Sequence, residues 1–281
     1  MSNLDASPLG EPTNYPKAYS RDLLVCIPRQ DSRDQLEAYQ PAPKGYDTWT
    51  LYELAWQDRE GVPCGMIGEL QVPADSPKLV ESKSLKLYIN SLYYRRFSNA
   101  TEVQEEIAAA LSFALEAQVR VHLWPLADFL ISSRIDKTAW ENLDVLGVVP
   151  SSSPTVCDLC GPATYEQANE NQENTTRFYK TDLFRSLCPV TGQPDWATVY
   201  VGVQGRPIDP RKLAAYLYSF REHAGFHESC VEQMYADLHR EIQPQQLTVA
   251  ARYTRRGGID INPYRSSASP LFELPGRTVR Q

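Results

Sequence analysis

Three side chains suited to nucleophilic and proton-transfer chemistry occur in the second half of the chain. Cys188 and Asp195 flank a short segment that contains Gly192 between two prolines, and His227 follows further along. A cysteine attacks electrophiles as its thiolate, which a nearby cation or base favours, and Arg185 and His227 are the candidates for that role. The prolines and the glycine predict a rigid loop that holds Cys188 and Asp195 at its two shoulders. A buried cysteine beside a turn-capping carboxylate is the ordinary alternative.

His227 and Glu228 follow Gly225 and are predicted to lie at the start of a helix. The helix dipole favours a negative charge there, so a carboxylate stays ionised. A glutamate that accepts two parallel N–H donors can recognise the N1–H and amine edge of a guanine-like ring, and we assign this role to Glu228. An ordinary first-turn glutamate would show the same pattern. Cys230 lies on the adjacent helical face, which suggests a protective disulfide with Cys188 after mild oxidation.

Two groups of basic residues could hold phosphates. Lys83 and Lys86 share a helical face, and three arginines, the last of them Arg256, precede Gly257 and Gly258. The glycines would let the backbone approach a phosphate, although a solvated basic surface fits the same pattern. The sequence contains neither G-x-G-x-x-G nor G-x-x-x-x-G-K-[ST], so a dinucleotide would need a different cradle.

The composition narrows the classes of partner. The sequence has 28 basic and 35 acidic side chains and a formal charge of −7, which argues against a general nucleic-acid or anionic-membrane surface. The most apolar window, 107–115, is far shorter than the ~20 residues of a membrane helix, and residues 1–20 show no secretory signal. We therefore expect a cytoplasmic protein with no membrane partner and no direct nucleic-acid partner. Cys157 and Cys160 have the C-x-x-C spacing of a zinc knuckle but lack a second pair, so no metal site is expected.

Apolar periodicity predicts two halves with a similar order of elements. Alternation over 48–72 with a turn at Gly61 predicts a hairpin, and a capping-box pattern at Thr101 predicts a helix over 102–117. The other predicted elements are a strand at 119–124, strands near 176–186 and 196–204, helices near 209–222 and 226–241, and a strand at 246–255. The segments 91–97 and 219–226 also resemble each other loosely, which indicates a degenerate internal repeat.

A polar stretch at 150–175 is interpreted as the connection between the halves. It gives an N-terminal domain at 1–150, which carries the Glu-Ser-Lys-Ser-Leu-Lys motif, and a C-terminal domain at 151–281, which carries the candidate catalytic residues.

Four motifs together closely resemble the NADPH-dependent 7-cyano-7-deazaguanine reductases of queuosine biosynthesis, in their long two-module form. They are Glu81–Tyr88, Cys188–Asp195, Phe226–Cys230 and Arg252–Pro263, and the resemblance covers most of 45–265. It implies an α+β fold of two tandem tunnelling-fold (T-fold) modules, with antiparallel sheets and helices packed on one face. It also implies a homodimer that uses NADPH to reduce a nitrile, with 7-cyano-7-deazaguanine as substrate.

The resemblance also implies roles for individual residues. Cys188 would form a covalent thioimide with the nitrile carbon while Asp195 supplies a proton and His227 assists. Asp195 would have to be protonated near neutral pH, so we expect burial, aided by Trp196, to raise its pKa. The implied substrate-binding residues are Val80, Glu81, Ser82, His227 and Glu228. The implied NADPH-binding residues are Ser82, Lys83, Arg256 and Gly257.

Three other functions fit part of the pattern. A cysteine-dependent hydrolase or amidinotransferase would use Cys188, Asp195 and His227 but would not oxidise a nicotinamide cofactor. A purine-binding module without catalysis would tolerate Cys188→Ser. A zinc-dependent cyclohydrolase of the same architecture would contain metal, which analysis of the purified protein would detect.

Overall fold

The structure, a computed structural model, describes residues 15–36, 43–129, 138–150, Leu159 and 175–281. The chain forms two compact units, each assembled from separate segments. Unit 1 comprises Met1–Asp31, Tyr46–Ser133 and Arg255–Ile261, and unit 2 comprises Ser32–Gly45, Arg134–Thr254 and Asn262–Gln281. This division differs from a single boundary near residue 150. The chain returns to unit 1 at Arg255–Ile261, where the Tyr52 N–H donates to the Gly258 carbonyl at 2.9 Å. Most of the predicted connection at 150–175 lies outside the described residues.

Unit 1 places two helices against a hairpin and one further strand. Its elements are β1 (Cys26–Pro28), most of β2 (Lys44–Gln57), β3 (Pro63–Pro73), β4 (Lys78–Val80), α2 (Ser82–Ser91), α3 (Ala100–Leu115), β5 (Arg120–Trp124) and α4 (Leu126–Phe129). The short helix α1 (Gln30–Arg33) crosses from unit 1 into unit 2. Strands β2 and β3 pair antiparallel up to Gln57 and Pro63, and β5 pairs antiparallel with β3. The predicted hairpin and the predicted strand at 119–124 are confirmed.

The core of unit 1 lies between this sheet and its helices. Leu85 and Tyr88 of α2 and Ile107 and Leu111 of α3 are buried in one cluster with Trp49 of β2. Apolar residues that recur at helical spacing form one stripe on each helix, and that stripe covers the sheet.

The predicted cap of α3 is wrong. Asn99, not Thr101, is the N-cap, and its Oδ1 accepts a hydrogen bond from the Glu102 N–H at 2.9 Å. The Glu102 carboxylate in turn accepts from the Ser98 N–H at 2.7 Å. The helix therefore begins at Ala100, because a second polar residue just upstream of Thr101 caps it in the same way.

Unit 2 contains a second set of strands, most of which pair antiparallel. Its elements are β6 (Glu141–Asn142), β7 (Thr176–Leu187), β8 (Pro194–Gln204), α5 (Pro210–Ser219), α6 (His227–Ile242), β9 (Gln246–Tyr253) and most of β10 (Ile259–Ser266). The pairs β7–β8, β8–β9 and β9–β10 are antiparallel, whereas the two-residue strand β6 runs parallel to β7. The predicted strands and helices of this half are confirmed, with Pro210 in the first turn of α5. Strand β10 was not predicted.

The two units repeat the same order of elements, hairpin then two helices then strand. Each hairpin has a register shift at a matching place, between Leu51 and Leu54 in β2 and between Thr181 and Phe184 in β7. The helices α2 and α5 each span 10 residues and α3 and α6 each span 16. These matches confirm the internal repeat. Among the described helices, none is long and apolar enough to cross a membrane.

Candidate active site

The loop after β7 holds Cys188 and Asp195 as predicted. The Cys188 N–H donates to the Gln193 carbonyl at 2.9 Å, and the Gly192 N–H donates to the Cys188 carbonyl at 3.0 Å. Gly192 has a φ of +67°, which favours glycine. Ser186, two positions before Cys188, pairs with Asp195 across the two strands. The side chains of Ser186 and Asp195 therefore lie on the same face of the sheet. The loop thus fixes Cys188 and Asp195 at the end of one hairpin.

The segment before α6 is tied to the strand that ends at Cys188. The Leu187 N–H donates to the His223 carbonyl at 2.9 Å, and the Gly225 N–H donates to the Leu187 carbonyl at 3.0 Å. A Cβ on Gly225 would lie 3.0 Å from His223 Nε2 and 3.1 Å from Cys230 Sγ, so the segment is tightly packed. These contacts place the first residue of α6, His227, beside the hairpin.

His227 contacts both Asp195 and an aromatic ring. Its Nε2 lies 3.3 Å from Asp195 Oδ2. Its ring stacks on Tyr253, with centroids 3.7 Å apart and planes 6° apart. Both His227 and Asp195 have largely buried side chains, 13% and 8% exposed. The structure therefore brings together Asp195 and His227 in a site shielded from water.

The expectation that Trp196 helps to desolvate Asp195 is wrong. Trp196 is 40% exposed, whereas Asp195 is 6% exposed. Successive residues of a strand point to opposite faces, so the side chains of Asp195 and Trp196 lie on opposite sides of β8. Trp196 instead meets Arg280, whose guanidinium lies 5.9 Å from the indole ring.

Glu228 occupies the first turn of α6, as predicted, and is 3% exposed. A buried carboxylate at that position is favoured by the dipole of the helix. It lies next to His227 in sequence, so the helix start carries two functional groups.

Cys188 and Cys230 are both free thiols in the structure. Burial raises the pKa of Cys230 to about 12, so that thiol keeps its proton at neutral pH. The protective disulfide between the two cysteines stays a prediction. Cys157 and Cys160 lie outside the described residues, and no group of three or more His, Cys, Asp or Glu side chains that could hold a metal occurs within them.

Unit 1 carries the other predicted site residues at the start of α2. Glu81 is the N-cap, and its oxygens accept from the Lys83 N–H at 2.8 Å and the Ser84 N–H at 2.7 Å. Ser82 and Lys83 form the first turn and are half-buried. The Val80 side chain is 5% exposed and belongs to the core of unit 1.

The turn at Gly257 and Gly258 lies against α2. The Arg256 N–H donates to the Ile259 carbonyl at 2.8 Å, and both glycines have positive φ, +54° and +77°. A Cβ on Gly257 would lie 3.2 Å from Lys86 Nζ. Two glycines at φ > 0 are the requirement of a type I′ turn. A Cβ on Gly258 would lie 2.5 Å from Glu53 Oε2, so a carboxylate packs against the second glycine and the Lys86 ammonium against the first. Lysines and an arginine suit an anionic phosphate, so the residues present fit NADPH.

Comparison with known proteins decides the family. Residues 15–123 match a model described as the N-terminal part of a nitrile reductase, 7-cyano-7-deazaguanine reductase, and residues 194–271 match a QueF-like protein model. The chain is 40% identical over 282 residues to the NADPH-dependent 7-cyano-7-deazaguanine reductase of Burkholderia pseudomallei strain 1710b, covering 99% of this chain and 100% of the relative. The protein of the same name from Acinetobacter baumannii strain AYE is 39% identical, with the same coverage. The chain belongs to the 7-cyano-7-deazaguanine reductase family.

A solved structure, the archaeosine synthase QueF-Like in its apo form, covers 34% of this chain at a TM-score of 0.30 and 16% identity. That score is too low to bear on the fold of this 7-cyano-7-deazaguanine reductase family member.

Tyr253 stacks on His227, and the sequence analysis of this reductase family member did not identify it as a candidate site residue. It lies at the end of β9, opposite Ala197 of β8, and is fully buried. In the sequence it is one more aromatic residue of an alternating strand, typical of a core position. Only the pairing of β8 with β9 and the approach of α6 bring it to His227, so no local pattern could have found it.

Proposed function

We infer that this chain catalyses the NADPH-dependent reduction of the nitrile of 7-cyano-7-deazaguanine to 7-aminomethyl-7-deazaguanine, a step of queuosine biosynthesis. The pairing of His227 with Asp195 at 3.3 Å, beside the loop that carries Cys188, supports this proposal. The full-length similarity to reductases of that name supports the substrate and the cofactor.

In the proposed mechanism the Cys188 sulfur adds to the nitrile carbon and forms a thioimide. The π electrons of the C≡N bond move to nitrogen, which takes a proton from Asp195. His227, in contact with Asp195, supports that transfer and orients the adduct. The burial of Asp195 suits a carboxylic acid that must donate rather than accept a proton.

NADPH, when bound, supplies hydride, and two equivalents account for the four electrons between a nitrile and an amine. We propose that Ser82, Lys83, Arg256 and Gly257 hold it, with the two cations at its phosphates. The contact of the glycine turn with Lys86 supports this assignment. The sulfur–carbon bond breaks after the first hydride addition, which leaves the imine and restores the Cys188 thiolate.

We propose that His227, Glu228, Val80, Glu81 and Ser82 hold the substrate ring. The first-turn position of Glu228 supports an ionised carboxylate that accepts N–H donors. Glu81 already accepts two backbone N–H groups, but an ionised carboxylate has about four lone-pair sites, so it can accept further donors.

We also propose that the two repeated units are T-fold modules, that the domains follow the two halves of the sequence, and that two chains assemble as a homodimer in the cytoplasm. The repeated order of elements supports the modules. The four free cysteines among the described residues suit a reducing compartment. Light scattering after gel filtration tests the dimer, which should weigh about twice the 31.8 kDa of one chain.

The decisive experiment mixes protein, 7-cyano-7-deazaguanine and NADPH and counts the cofactor molecules oxidised per nitrile consumed. We expect two, together with an intact-protein mass that increases by the mass of the heterocycle when NADPH is omitted. Cys188→Ala should abolish the adduct and the turnover. A Cys188→Ala protein that still oxidises NADPH with the nitrile would contradict the mechanism, and an unchanged NADPH level with wild-type protein would contradict the function.

A further inference from the structure

Only one polar contact orients the His227 ring within the part of the chain that the structure describes. Its Nε2 lies 3.3 Å from Asp195, whereas its Nδ1 is buried and has no hydrogen-bond partner there. An imidazole rotates about χ2 between broad minima, and in many catalytic sites a hydrogen bond at the other nitrogen fixes it. Something else has to hold this ring in place.

The ring of Tyr253 packs against the His227 ring. The two rings are almost parallel, at 6°, and their centroids are 3.7 Å apart, so the phenol covers one face of the imidazole. Rotation of His227 about χ2 would drive its ring edge into that face. The stack therefore restricts the imidazole to the plane in which Nε2 meets Asp195.

Tyr253 is itself held rigidly. Its N–H donates to Asn262 Oδ1 at 3.2 Å, and its carbonyl accepts from Gln281 Nε2 at 3.2 Å. Its ring packs edge-on against Phe184, with centroids 6.1 Å apart at 89°. Its strand neighbour Ala197 lies two residues after Asp195, so phenol and carboxylate project from the same face of the sheet.

The hydroxyl of Tyr253 contributes nothing comparable. It is buried beside Ser186 and Cys230 and makes no hydrogen bond to His227. Burial, with Cys230 and Asp195 adding to it, raises the pKa of Tyr253 well above the ordinary value of 10.0, so the phenol keeps its proton in the working pH range. The contact of Tyr253 with His227 is therefore made by its ring and not by its hydroxyl.

We propose that Tyr253 is the positioning residue for His227: its ring, and not its hydroxyl, fixes the imidazole plane so that Nε2 faces Asp195. The proposal rests on the proposed function, in which these two residues handle the proton of the thioimide step. Tyr253 touches neither substrate nor cofactor in that scheme and acts through His227.

Three variants separate positioning from simple packing. Tyr253→Phe keeps the stack and removes the hydroxyl, while Tyr253→Leu removes the stack. Tyr235→Leu is the matched control, because Tyr235 is also buried in unit 2 and also stacks on a histidine, His239, at 5.6 Å and 26°. Both leucine variants lose a large core side chain and should lower the melting temperature by similar amounts.

The rate and the amplitude of thioimide formation are measured in a single turnover without NADPH, alongside the steady-state KM for NADPH. We expect Tyr253→Leu to form the full amplitude of adduct at a rate lower by about 100-fold, the scale of a misplaced catalytic group. Tyr253→Phe and Tyr235→Leu should react at nearly the wild-type rate, and KM for NADPH should not change. Equal slowing by both Tyr253 variants, or by both leucine variants, would overturn the proposal.

A second measurement does not depend on activity. The chain has only 4 histidines, so the ring ¹⁵N signals of His227 can be assigned by NMR. We expect one set of shifts, typical of a fixed ring, in wild-type protein and Tyr253→Phe, and averaged shifts in Tyr253→Leu. Unchanged His227 shifts in Tyr253→Leu would overturn the positioning role. A wild-type protein that forms no adduct but shows the expected shifts would instead overturn the proposed function and keep the positioning role.

Discussion

Asp195 and Trp196 are adjacent in β8, yet only the first side chain is buried. We expect Asp195→Asn to slow thioimide formation by about 100-fold or more, because an amide cannot deliver the proton that nitrogen takes. Stopped-flow absorbance and intact mass would follow the adduct. Trp196→Phe serves as the control and should leave the rate unchanged, since its indole faces away from the acid. If Trp196→Phe slowed the step as much as Asp195→Asn, the assignment of the acid would be wrong.

His223, whose carbonyl anchors the strand before Cys188, predicts a pH dependence of stability. Burial lowers the pKa of His223 from its ordinary 6.5, so the unfolded chain binds more protons than the folded chain near that pH. The free energy of unfolding should therefore be highest above pH 6.5 and decrease as the pH falls through that value towards the lower folded pKa.

Urea unfolding between pH 5 and 8 checks this, with His223→Gln expected to flatten part of the slope. The pKa of His239 is also lowered by burial, so some slope should remain. His122→Gln, at an exposed position of β5, should leave the slope as it is. An unaltered slope in His223→Gln would show that this imidazole does not drive the effect.

At the scale of elements, the entry into α6 depends on the absence of a side chain at Gly225. We expect Gly225→Ala to destabilise the protein by about 1–3 kcal/mol, the range for overpacking, and to reduce turnover because the shift moves His227. Thermal unfolding and NADPH oxidation measure the two effects. Gly65→Ala is the control, since the nearest atom to its new Cβ would be at 3.6 Å, an ordinary contact. Wild-type stability in Gly225→Ala would show that the segment before α6 can accommodate an added methyl group.

The same elements show which features a sequence can predict. The loop at Cys188 and the hairpin turn at Gly61 were predicted because glycine and proline act on their own backbone. Strand β10 was missed because Pro263 and the buried Asp260, Asn262 and Arg265 interrupt its alternation. Those polar side chains find buried partners only after folding, as Arg265 does at 2.8 Å from Glu232. The stack on His227 is likewise a product of tertiary pairing.

At the scale of the whole molecule, the repeat carries different chemistry in each unit. Unit 2 holds Cys188, Asp195 and His227, whereas unit 1 holds the basic residues at α2 and the glycine turn. We expect NADPH at 100 times its Kd to stabilise the protein by about 2.7 kcal/mol. Lys83→Ala and Arg256→Ala should reduce that stabilisation and raise the KM for NADPH about 10-fold or more, since hydrogen bonds to charged groups contribute about 1.5–3 kcal/mol.

Differential scanning fluorimetry with and without NADPH would measure the shift. Lys44→Ala, which removes an exposed lysine away from both groups, should shift with NADPH as the wild type does. If Lys83→Ala and Arg256→Ala kept the full shift, the cofactor would have to bind elsewhere.

Residues 267–281, all of them described, form neither helix nor strand. They belong to unit 2 and are held there by hydrogen bonds to its strands. Arg252 donates to the Pro275 carbonyl at 2.8 Å, Arg280 donates to the Asp182 carbonyl at 2.6 Å, and the Gln281 amide reaches the main chain of Tyr253. A label attached within residues 267–281 would compete with these contacts a few bonds from the phenol that supports His227. Fluorescent labels therefore belong elsewhere on the chain.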